Sequence, residues 1–551
     1  MIRKLALLLA LCCALLSAQL LTPGPQVTVF LSDVDDTDQP YGLYLPKKFD
    51  PARKYPLVIS LHGAGSNHRL NLRRVFGQGN RPGERDPQAT RYFPPLKDVD
   101  FIVASPLARG TMGYQGLAEK DVYDVLADVR KRFPIDEDRI YLTGLSMGGG
   151  GTLWLGLTRP DVWAALAPVC AAVPQGAEDL AHNLLNLPVH LFHGDQDTAV
   201  KVDVSRKWHK LLLDLGAPVE YVEYPGVKHN SWDNAYKDGA IFDWFAKYRR
   251  NRFPDRVRFA TRAHKYSSAY WVQLDGLAPG TLASIDARFA APNRLEITTQ
   301  RLDGFSLKLD GHPKFTKARP LEITLDGAPH KLKAQGPVSF TRAGTGWQVG
   351  RYTPAAGAKR PGLEGPIGEA ISARHIYVYG TEGGPGAEEL RRRREQAEQA
   401  ANWSSPRSRL LLNLRVAADQ EITDTDLAGA NLVLFGAQET NRLIARFAPR
   451  LPLELKPEAA AEYGLLLVAP AGERHLLVSS GLPWWTGADQ VKRPGFRFLG
   501  ATFRLLMGFP DYILFKGSLE NVVAEGYFDP NWKLPAAEAE KLRASGVVEV
   551  R

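Results

Sequence analysis

One serine of this sequence stands where it could act as a nucleophile. Gly144-Leu145-Ser146-Met147-Gly148 fits the G-x-S-x-G pattern, follows the apolar run 140–142 and precedes a glycine-rich stretch that is typical of a helix start. On such a tight strand-to-helix turn, the serine hydroxyl is exposed above the backbone N–H groups of the helix. The five-residue pattern occurs by chance in many proteins, but this context predicts that Ser146 is a catalytic nucleophile.

A serine hydroxyl is a weak nucleophile and needs a neighbouring base. In α/β folds that carry this motif, a carboxylate and then a histidine follow the serine, each in a loop after a strand. The run 219–224 is predicted to be such a strand, and His229 lies in the loop behind it. His209 is predicted to fall within a helix and His190 within a strand, so we expect His229 to be the base. The alternative for His229 is an exposed polar residue at a helix start.

The acid has two candidates in the loop after the preceding predicted strand, 189–192. That loop has the sequence His193-Gly194-Asp195-Gln196-Asp197. A catalytic carboxylate orients the imidazole and stabilises its protonated form. We prefer Asp197 for this role, and we expect Asp195 to cap the loop or to accept backbone hydrogen bonds.

Negative charge that develops on a substrate carbonyl oxygen needs two fixed hydrogen-bond donors. The N–H of Met147, directly after the nucleophile, is one candidate. The N–H of Ala64, in the loop 62–66 after the predicted strand 57–61, is the other. This loop could instead be a plain tight turn, whereas a Walker-type phosphate loop is excluded because no Gly-Lys-Ser/Thr follows. A site of this kind predicts neither a metal nor a cofactor.

An arginine-rich segment, 66–97, lies between two of the predicted strands and contains several glycines and prolines. We interpret it as a long exposed loop over one edge of the sheet. Arg69, Arg73 and Arg74 are its candidate substrate-binding residues, and they would favour an acidic or carboxylate-bearing substrate. The alternative is that they are ordinary solvated side chains of a loop.

The elements that must hold these residues follow from the pattern of apolar runs. From about residue 24 to 252, short apolar runs alternate with helical patterns, which predicts a mostly parallel sheet with helices on both faces. The apolar runs are 56–61, 101–104, 140–142, 164–169, 189–192 and 219–224, and the predicted helices lie near 118–133, 147–158, 201–215 and 232–250.

The rest of the chain has two further patterns. Residues 255–350 alternate with a period of two and predict a small antiparallel β domain, with turn signals at Asp275-Gly276 and Asp326-Gly327. Residues 351–368 are rich in Gly, Pro and Ala and are interpreted as a linker. Residues 369–551 return to α/β alternation, with a strand at 376–379, a helix at 387–403 and a strand at 432–436. The sequence assigns no chemistry to this last domain and does not identify what it binds.

Composition excludes several classes of protein. A chain of 551 residues is too long for one compact core, so several domains are expected. With 44% hydrophobic and 23% charged residues, it is neither disordered nor fibrous. The net charge of +9 is not gathered into a block of like charge, so we predict no nucleic-acid partner. Its three cysteines offer no disulfide framework.

Residues 1–18 have the order of a secretory signal. Arg3 and Lys4 precede the apolar run 5–16, and the small residues Ser17-Ala18 follow it. We predict cleavage near Ala18 and export to the periplasm or the extracellular space, with an uncleaved anchor as the alternative. The run is too short for a comfortable membrane span, and no later apolar stretch reaches the length of one.

Four motifs taken together, 61–65, 138–149, 193–197 and 226–232, resemble the catalytic domain of the prolyl oligopeptidase family. They are also similar to secreted feruloyl esterases and polyhydroxybutyrate depolymerase-like hydrolases. The resemblance covers about residues 40–250 and implies an α/β-hydrolase fold with Ser146, Asp197 and His229 as the catalytic triad. One departure is that prolyl oligopeptidases usually carry a large β-propeller before the catalytic domain, whereas here the extra domains come afterwards.

The sequence therefore predicts an exported serine hydrolase that forms an acyl-enzyme from an ester or peptide substrate. The rival hypothesis is a non-catalytic binding or scaffold protein. In that case the β-rich and C-terminal domains would hold a polysaccharide or a protein partner. A complete set of catalytic residues favours the enzyme, because a protein that has lost its enzymatic activity commonly lacks one of them.

Overall fold

The computed structural model of the protein describes residues 22–333, 336–402, 412–487 and 506–551. The predicted signal sequence, 1–18, lies outside these ranges. Within them, no helix combines the length and the apolar character needed to cross a membrane.

An eight-stranded sheet forms the first part of the described chain, in the order β1-β2-β4-β3-β5-β6-β7-β8. The first two strands are antiparallel to their neighbours, and β3 to β8 run parallel to one another. This arrangement confirms the predicted fold class. The strands are β1 Gly24–Leu31, β2 Asp38–Leu45, β3 Tyr55–Leu61, β4 Ile102–Pro106, β5 Ile135–Leu145, β6 Ala165–Val169, β7 Val189–Gly194 and β8 Val219–Tyr224.

Helices cover both faces of this sheet because the central strands are buried along their whole length. One apolar core includes side chains of α3, α4 and α5, and a second core on the other face includes α1, α6 and α7. The helices are α1 His68–Val75, α2 Asp86–Ala89, α3 Leu117–Arg132, α4 Met147–Thr158, α5 Asp203–Asp214, α6 Trp232–Ala235 and α7 Ala240–Phe245. The predicted helix 232–250 is divided because Asp238 and Gly239, with φ of 54° and 69°, interrupt it.

The arginine-rich segment 66–97 differs from the predicted exposed loop. It contains α1, whose first turn is capped by Asn67: the Asn67 side chain accepts hydrogen bonds from the N–H groups of Arg69 and Leu70. Leu72 and Val75 on this helix are fully buried against the sheet. The run of arginines concealed this apolar face in the sequence.

Two five-stranded sheets pack around one apolar core in the β-rich part, in the orders β10-β11-β14-β17-β18 and β16-β15-β13-β12-β9. The strands are β9 Arg256–Thr261, β10 Ser268–Ala269, β11 Val272–Leu277, β12 Ala283–Ala291, β13 Arg294–Gln300, β14 Leu302–Leu307, β15 Leu321–Leu325, β16 Ala328–Leu332, β17 Val338–Ala343 and β18 Gly346–Val349. Pairing is antiparallel, as expected, except for the parallel pair β13–β15.

Only one of the two predicted turns in this part is a turn. Asp326-Gly327 joins β15 to β16, and both residues have the positive φ that a tight hairpin requires. Asp275-Gly276 lies inside β11 at an irregular register, where the Tyr352 ring packs so closely that a Cβ at Gly276 would meet it at 2.8 Å. The prediction there was wrong because a close tertiary contact also selects glycine.

The segment 351–368 is packed rather than free. Lys359, Leu363 and Glu364 are almost completely buried, and the Lys359 ammonium pairs with the Asp511 carboxylate of the C-terminal part. The linker interpretation therefore fails for this stretch, because its Gly and Pro content gave no sign of distant partners.

The C-terminal part contains a seven-stranded mixed sheet among its described residues, in the order β20-β19-β21-β24-β23-β25-β26, and a small pair β22–β27. The strands are β19 His375–Tyr379, β20 Val416–Ala418, β21 Asn431–Phe435, β22 Leu453–Leu455, β23 Tyr463–Ala471, β24 Arg474–Gly481, β25 Tyr512–Lys516, β26 Val522–Gly526 and β27 Val548–Val550. The helices are α8 Ile367–Ala370, α9 Ala387–Ala401, α10 Asp424–Gly429, α11 Arg442–Phe447 and α12 Ala536–Ala544.

Candidate active site

The turn between β5 and α4 presents Ser146 in a conformation that non-glycine residues rarely adopt. Its φ is 55° and its ψ is −114°. Its N–H donates to the carbonyl of Val169 in β6 at 2.9 Å, and its own carbonyl accepts from the N–H groups of Gly150 and Ala172 at 3.0 Å. The bonds with Val169 and Ala172 hold the strained turn against β6 and the residues that follow it, and the bond from Gly150 begins the helix.

The glycines of the motif are required by close packing at this turn. A Cβ at Gly148 would lie 2.2 Å from the carbonyl oxygen of Leu61, and a Cβ at Gly144 would lie 2.4 Å from the carbonyl oxygen of Gly148. Both distances are far below van der Waals contact. A Cβ at Gly63 would come within 3.5 Å of the Ser146 Cβ, so the loop after β3 lies directly against this serine.

His229 lies between Ser146 and Asp197. Its Nε2 is 3.0 Å from the Ser146 Oγ, and its Nδ1 is 2.7 Å from the Asp197 Oδ2. The loop that carries it, between β8 and α6, packs so tightly on the acid loop that a Cβ at Gly194 would be 2.3 Å from the Val227 carbonyl oxygen. The structure thus brings the three residues singled out by the sequence into one hydrogen-bonded line.

The Asp197 carboxylate is buried and fully hydrogen-bonded. Its Oδ1 accepts from the N–H groups of Ala199 and Val200 at 2.8 and 2.9 Å. Burial by itself would raise the pKa of Asp197, but the hydrogen bonds from His229 and these two amides outweigh burial and hold the pKa below its usual value. Asp197 is therefore an ionised partner for the imidazole at neutral pH.

Asp195 has a different place. Its Oδ1 accepts a hydrogen bond from the N–H of Gly226 at 2.7 Å, and its own N–H donates to the Tyr224 carbonyl at 3.2 Å. Asp195 thus ties the loop of the acid to the loop of His229. This is the backbone-binding role that the sequence favoured for it.

A second imidazole, His193, touches the same carboxylate and was passed over in the sequence. Its Nε2 lies 3.2 Å from the Asp197 Oδ2 and 3.0 Å from the Val200 carbonyl oxygen, and its Nδ1 lies 2.7 Å from the Ser205 Oγ. If the Ser205 hydroxyl donates to Nδ1, the Nε2–H is directed at Asp197. The signal available in the sequence was its position in the strand end just before the acid loop.

The two predicted oxyanion donors belong to segments that border the nucleophile: Met147 follows Ser146 directly, and the loop of Ala64 packs against Ser146 at Gly63. Helix α4 begins at Met147, so the Met147 N–H has no carbonyl acceptor within the helix. Ala64 is exposed in a turn where the Ser66 N–H donates to the Gly63 carbonyl at 3.1 Å. The neighbouring Gly65 N–H donates to the Thr111 Oγ1 at 2.8 Å.

The three candidate substrate-binding arginines are used mainly inside the protein. The Arg73 guanidinium is buried and donates to the carbonyls of Ala89 and Gly79 at 2.6 and 2.8 Å. The Arg69 Nε donates to the Thr90 carbonyl at 2.9 Å. Arg73 therefore holds the segment 66–97 together rather than facing a substrate, because its neighbours already satisfy its charge and its donors.

Arg74 is the arginine connected to the site, through an aromatic side chain that the sequence did not single out. Its guanidinium lies 5.4 Å above the Trp232 ring, and that ring meets the His229 imidazole edge-on at 5.5 Å. The Arg74 Nη2 also donates to Asp86 at 3.0 Å. Trp232 and Arg74 thus form one wall beside the base.

Cys170 lies beneath the site at the end of β6. One ligand atom each of Cys170, Asp197 and His229 lie within 4.8 Å of one another, a grouping that could in principle hold a metal ion. Burial raises the pKa of the Cys170 thiol to about 12, so it stays protonated. The other two groups are already hydrogen-bonded to each other, so this grouping is better explained as part of the hydrolytic site.

A hydroxyl, an imidazole and an ionised carboxylate in line can transfer an acyl group from an ester, thioester or amide to water. Together with the order of the eight-stranded sheet, this arrangement defines the fold class of residues 24–252, the proposed catalytic part: it is an α/β-hydrolase fold.

Comparison with known proteins supports the same class. Residues 119–242 match the family model described as Phospholipase/Carboxylesterase. The chain is 27% identical over 225 residues to an uncharacterized secreted protein of Arthroderma benhamiae, covering 33% of this chain and 22% of that protein. It is 31% identical over 102 residues to acyl-protein thioesterase 1 of Neurospora crassa, covering 18% of this chain and 42% of that protein. The chain thus spans less than half the length of either relative.

Among solved structures, one similar protein is a thermostable esterase. It is 28% identical, with a TM-score of 0.33, and the match covers 41% of this chain and 63% of that one.

Proposed function

We propose that this protein is an exported serine esterase in which Ser146, His229 and Asp197 act as a catalytic triad. The observation that carries the proposal is the position of the His229 ring, with Nε2 3.0 Å from the Ser146 Oγ and Nδ1 2.7 Å from the Asp197 carboxylate. The match of residues 119–242 to a carboxylesterase family model and the thioesterase relative favour esters over peptides as substrates.

The geometry supports the following course of reaction. The His229 Nε2 takes the hydroxyl proton as the Ser146 Oγ attacks the ester carbonyl, and Asp197 stabilises the imidazolium that forms. The N–H groups of Met147 and Ala64 donate to the oxyanion. His229 then protonates the departing alkoxide. A water molecule, activated by the same imidazole, releases the acyl group and restores the serine.

The wall beside His229 supports a preference for uncharged esters. The Arg74 guanidinium is already paired with Asp86 and lies over the Trp232 ring, so its charge is largely neutralised. An aromatic face next to the base suits an apolar acyl or alcohol group. We therefore propose a neutral ester as the substrate, in place of the acidic substrate that was one of the two interpretations of the arginine-rich segment.

Export is part of the proposal and rests on two observations. The order of residues 1–18 is that of a secretory signal, and one relative carries the description of a secreted protein. Fractionation of expressing cells tests it: export predicts mature protein outside the cytoplasm that begins near Gln19, and an intact N-terminus in the cytoplasm would contradict it.

A panel of substrates and an active-site probe test the activity. Wild-type protein should hydrolyse p-nitrophenyl acetate, act far more slowly on a peptide p-nitroanilide and take up a fluorophosphonate probe. Ser146→Ala should abolish labelling and turnover, and His229→Ala should lower turnover by about 10³-fold or more. His209→Ala, on α5, is the matched histidine control and should leave activity unchanged. Faster peptide than ester cleavage would make the enzyme a peptidase. Folded wild-type protein that takes up no probe would favour the scaffold hypothesis.

A further inference from the structure

The segment 107–114, called the support loop below, has a strained backbone. Ala108, Arg109 and Gly110 follow one another with φ of 46°, 59° and 83°. Left-handed backbone is unfavourable at a non-glycine residue and persists only where the surroundings enforce it. Two such residues in succession therefore indicate that something holds this loop.

The support loop contacts the proposed oxyanion loop on both sides of Ala64. The Leu107 carbonyl oxygen lies 2.9 Å from the His62 Nε2, and the Tyr114 hydroxyl donates to the His62 carbonyl at 3.0 Å. The Thr111 Oγ1 accepts the Gly65 N–H at 2.8 Å. The direction of the Ala64 N–H is thus fixed by residues that hold its neighbours.

The Arg109 side chain fastens the support loop from within. Its guanidinium is fully buried, with Nε donating to the Asp121 carboxylate at 2.8 Å and Nη1 donating to the Asp35 carboxylate at 2.7 Å. Its Nη2 donates to the Ser32 hydroxyl at 2.6 Å. A planar guanidinium with directed donors fixes orientation in a way that an ammonium does not.

The C-terminal part contacts Asp35, the residue that binds the Arg109 guanidinium. The Asp35 oxygen that accepts from Arg109 also accepts the backbone N–H of Asn413 at 3.0 Å. The adjacent Val34 is buried in the apolar core of the C-terminal part, and Met112 of the support loop packs against the same core. An unbroken series of contacts therefore runs from the C-terminal part through Asp35 and Arg109 to the oxyanion loop.

We infer that the C-terminal part positions the oxyanion loop of the hydrolytic site through Asp35 and Arg109. This inference rests on the proposed function, and it gives the C-terminal part a role in the reaction. Arg109, Asp35 and Thr111 are positioning residues. They lie outside the line of the triad, and they act by fixing the amide that donates to the oxyanion.

Measuring kcat and KM separately shows whether Asp35, Arg109 and Thr111 position the oxyanion donor or only stabilise the fold. An oxyanion donor acts mainly on the transition state, so a misplaced donor lowers kcat and leaves KM for the ester nearly unchanged. The variants are Asp35→Asn, Arg109→Lys and Thr111→Val; the last is close to isosteric and removes the acceptor of the Gly65 N–H without removing a charge. The control is Asp124→Asn, which removes a half-buried carboxylate from the same helix as Asp121.

We expect each of the three variants to lower kcat for p-nitrophenyl acetate by about tenfold or more, with KM within about twofold of wild type. The inhibition constant of phenylboronic acid, which forms a tetrahedral adduct on the serine, should rise by a similar factor. Hydrogen exchange should increase in the peptide covering 61–67. Asp124→Asn should match wild type in all three measurements.

The inference is overturned if Thr111→Val and Asp35→Asn are folded by circular dichroism, keep kcat within about twofold of wild type, and leave exchange of 61–67 unchanged. Hydrogen exchange also separates this failure from failure of the proposed function. If wild-type protein hydrolyses no ester, exchange of 61–67 in Asp35→Asn still decides whether the contacts made by Asp35, including the one with Asn413, hold this loop.

Discussion

The ion pair between Lys359 and Asp511 should carry much of the attachment of segment 351–368 to the C-terminal part. Both side chains are 0% exposed. The Lys359 Nζ also donates to the Phe528 carbonyl at 3.0 Å, and Asp511 accepts the Phe528 N–H at 2.9 Å. The perturbations are Lys359→Met and Asp511→Asn, each of which removes one charge and leaves the other buried.

The expected loss in the free energy of unfolding follows from the complete burial of both side chains. Removing one partner of a fully buried ion pair costs about 3–5 kcal/mol, because an uncompensated charge stays in the interior. Each single variant should lose that much of the free energy of unfolding. The double variant Lys359→Met/Asp511→Asn should lose less than the sum of the two single variants, because no buried charge remains. Arg360→Met breaks the neighbouring exposed pair with Glu473 and should cost less than about 1 kcal/mol.

The pH dependence of the two single variants should have opposite signs. Burial raises the pKa of Asp511. In Lys359→Met, the Asp511 carboxyl therefore binds a proton more tightly in the folded state than in the unfolded state. The free energy of unfolding should then fall as pH rises above about 4. Burial lowers the pKa of Lys359, so without Asp511 the folded state disfavours the proton. Stability is then low at neutral pH and recovers as pH approaches about 10.

Urea denaturation of the intact chain between pH 5 and pH 9 measures both effects. The reasoning would be refuted if Lys359→Met and Arg360→Met were equally stable at pH 7. It would also be refuted if the two single variants changed with pH in the same direction, because the buried charges would then not be the cause of the loss.

Three further predictions concern the site and one buried acid. Gly148→Ala would place a Cβ 2.2 Å from the Leu61 carbonyl, and we expect about 10²-fold or greater loss of esterase activity, with fluorophosphonate labelling as the independent measurement. Asp197→Asn should lower kcat by about 10³–10⁴-fold with little change in KM, measured on p-nitrophenyl acetate. Burial raises the pKa of Glu364 to about 8, so stability should fall as pH rises from about 4.5 to about 8. Glu364→Gln should remove that slope in urea denaturation, and an unchanged slope would assign it to another group.

The candidate site could be predicted from the sequence because its residues follow local rules. Ser146 lies on a strand-to-helix turn marked by glycines, and Asp197 and His229 each lie in the loop after a parallel strand. The carboxyl ends of parallel strands meet at one edge of a sheet, so chain order and strand order suffice to bring these loops together. His193 was missed because the sequence does not show that its side chain, at the end of β7, meets the Asp197 carboxylate four residues further on.

The misjudged features depend on partners far away in sequence. In the sequence, Arg73 resembles a solvated loop residue, whereas in the structure it donates hydrogen bonds to the Ala89 and Gly79 carbonyls. Gly276 resembles a turn residue until Tyr352 packs against it. In the segment 351–368, the glycines and prolines are visible in the sequence, whereas the Asp511 carboxylate that binds Lys359 is not. Composition predicts local conformation, but it does not predict which distant group satisfies a buried charge.

A complete eight-stranded sheet does not make the catalytic part independent of the residues that follow it. Val34 and Leu117 belong to the catalytic part by sequence, yet both are buried in the core of the C-terminal part. Removing that part would expose these apolar side chains and take away the Asn413 N–H from the Asp35 carboxylate, while the strained backbone at 108–110 remained. In the proposed triad, His229 is hydrogen-bonded to both Ser146 and Asp197, and these contacts would remain. The loop that carries Ala64 would lose the support that it receives through Asp35 and Arg109. We therefore expect truncation to weaken oxyanion stabilisation more than it weakens activation of the Ser146 hydroxyl.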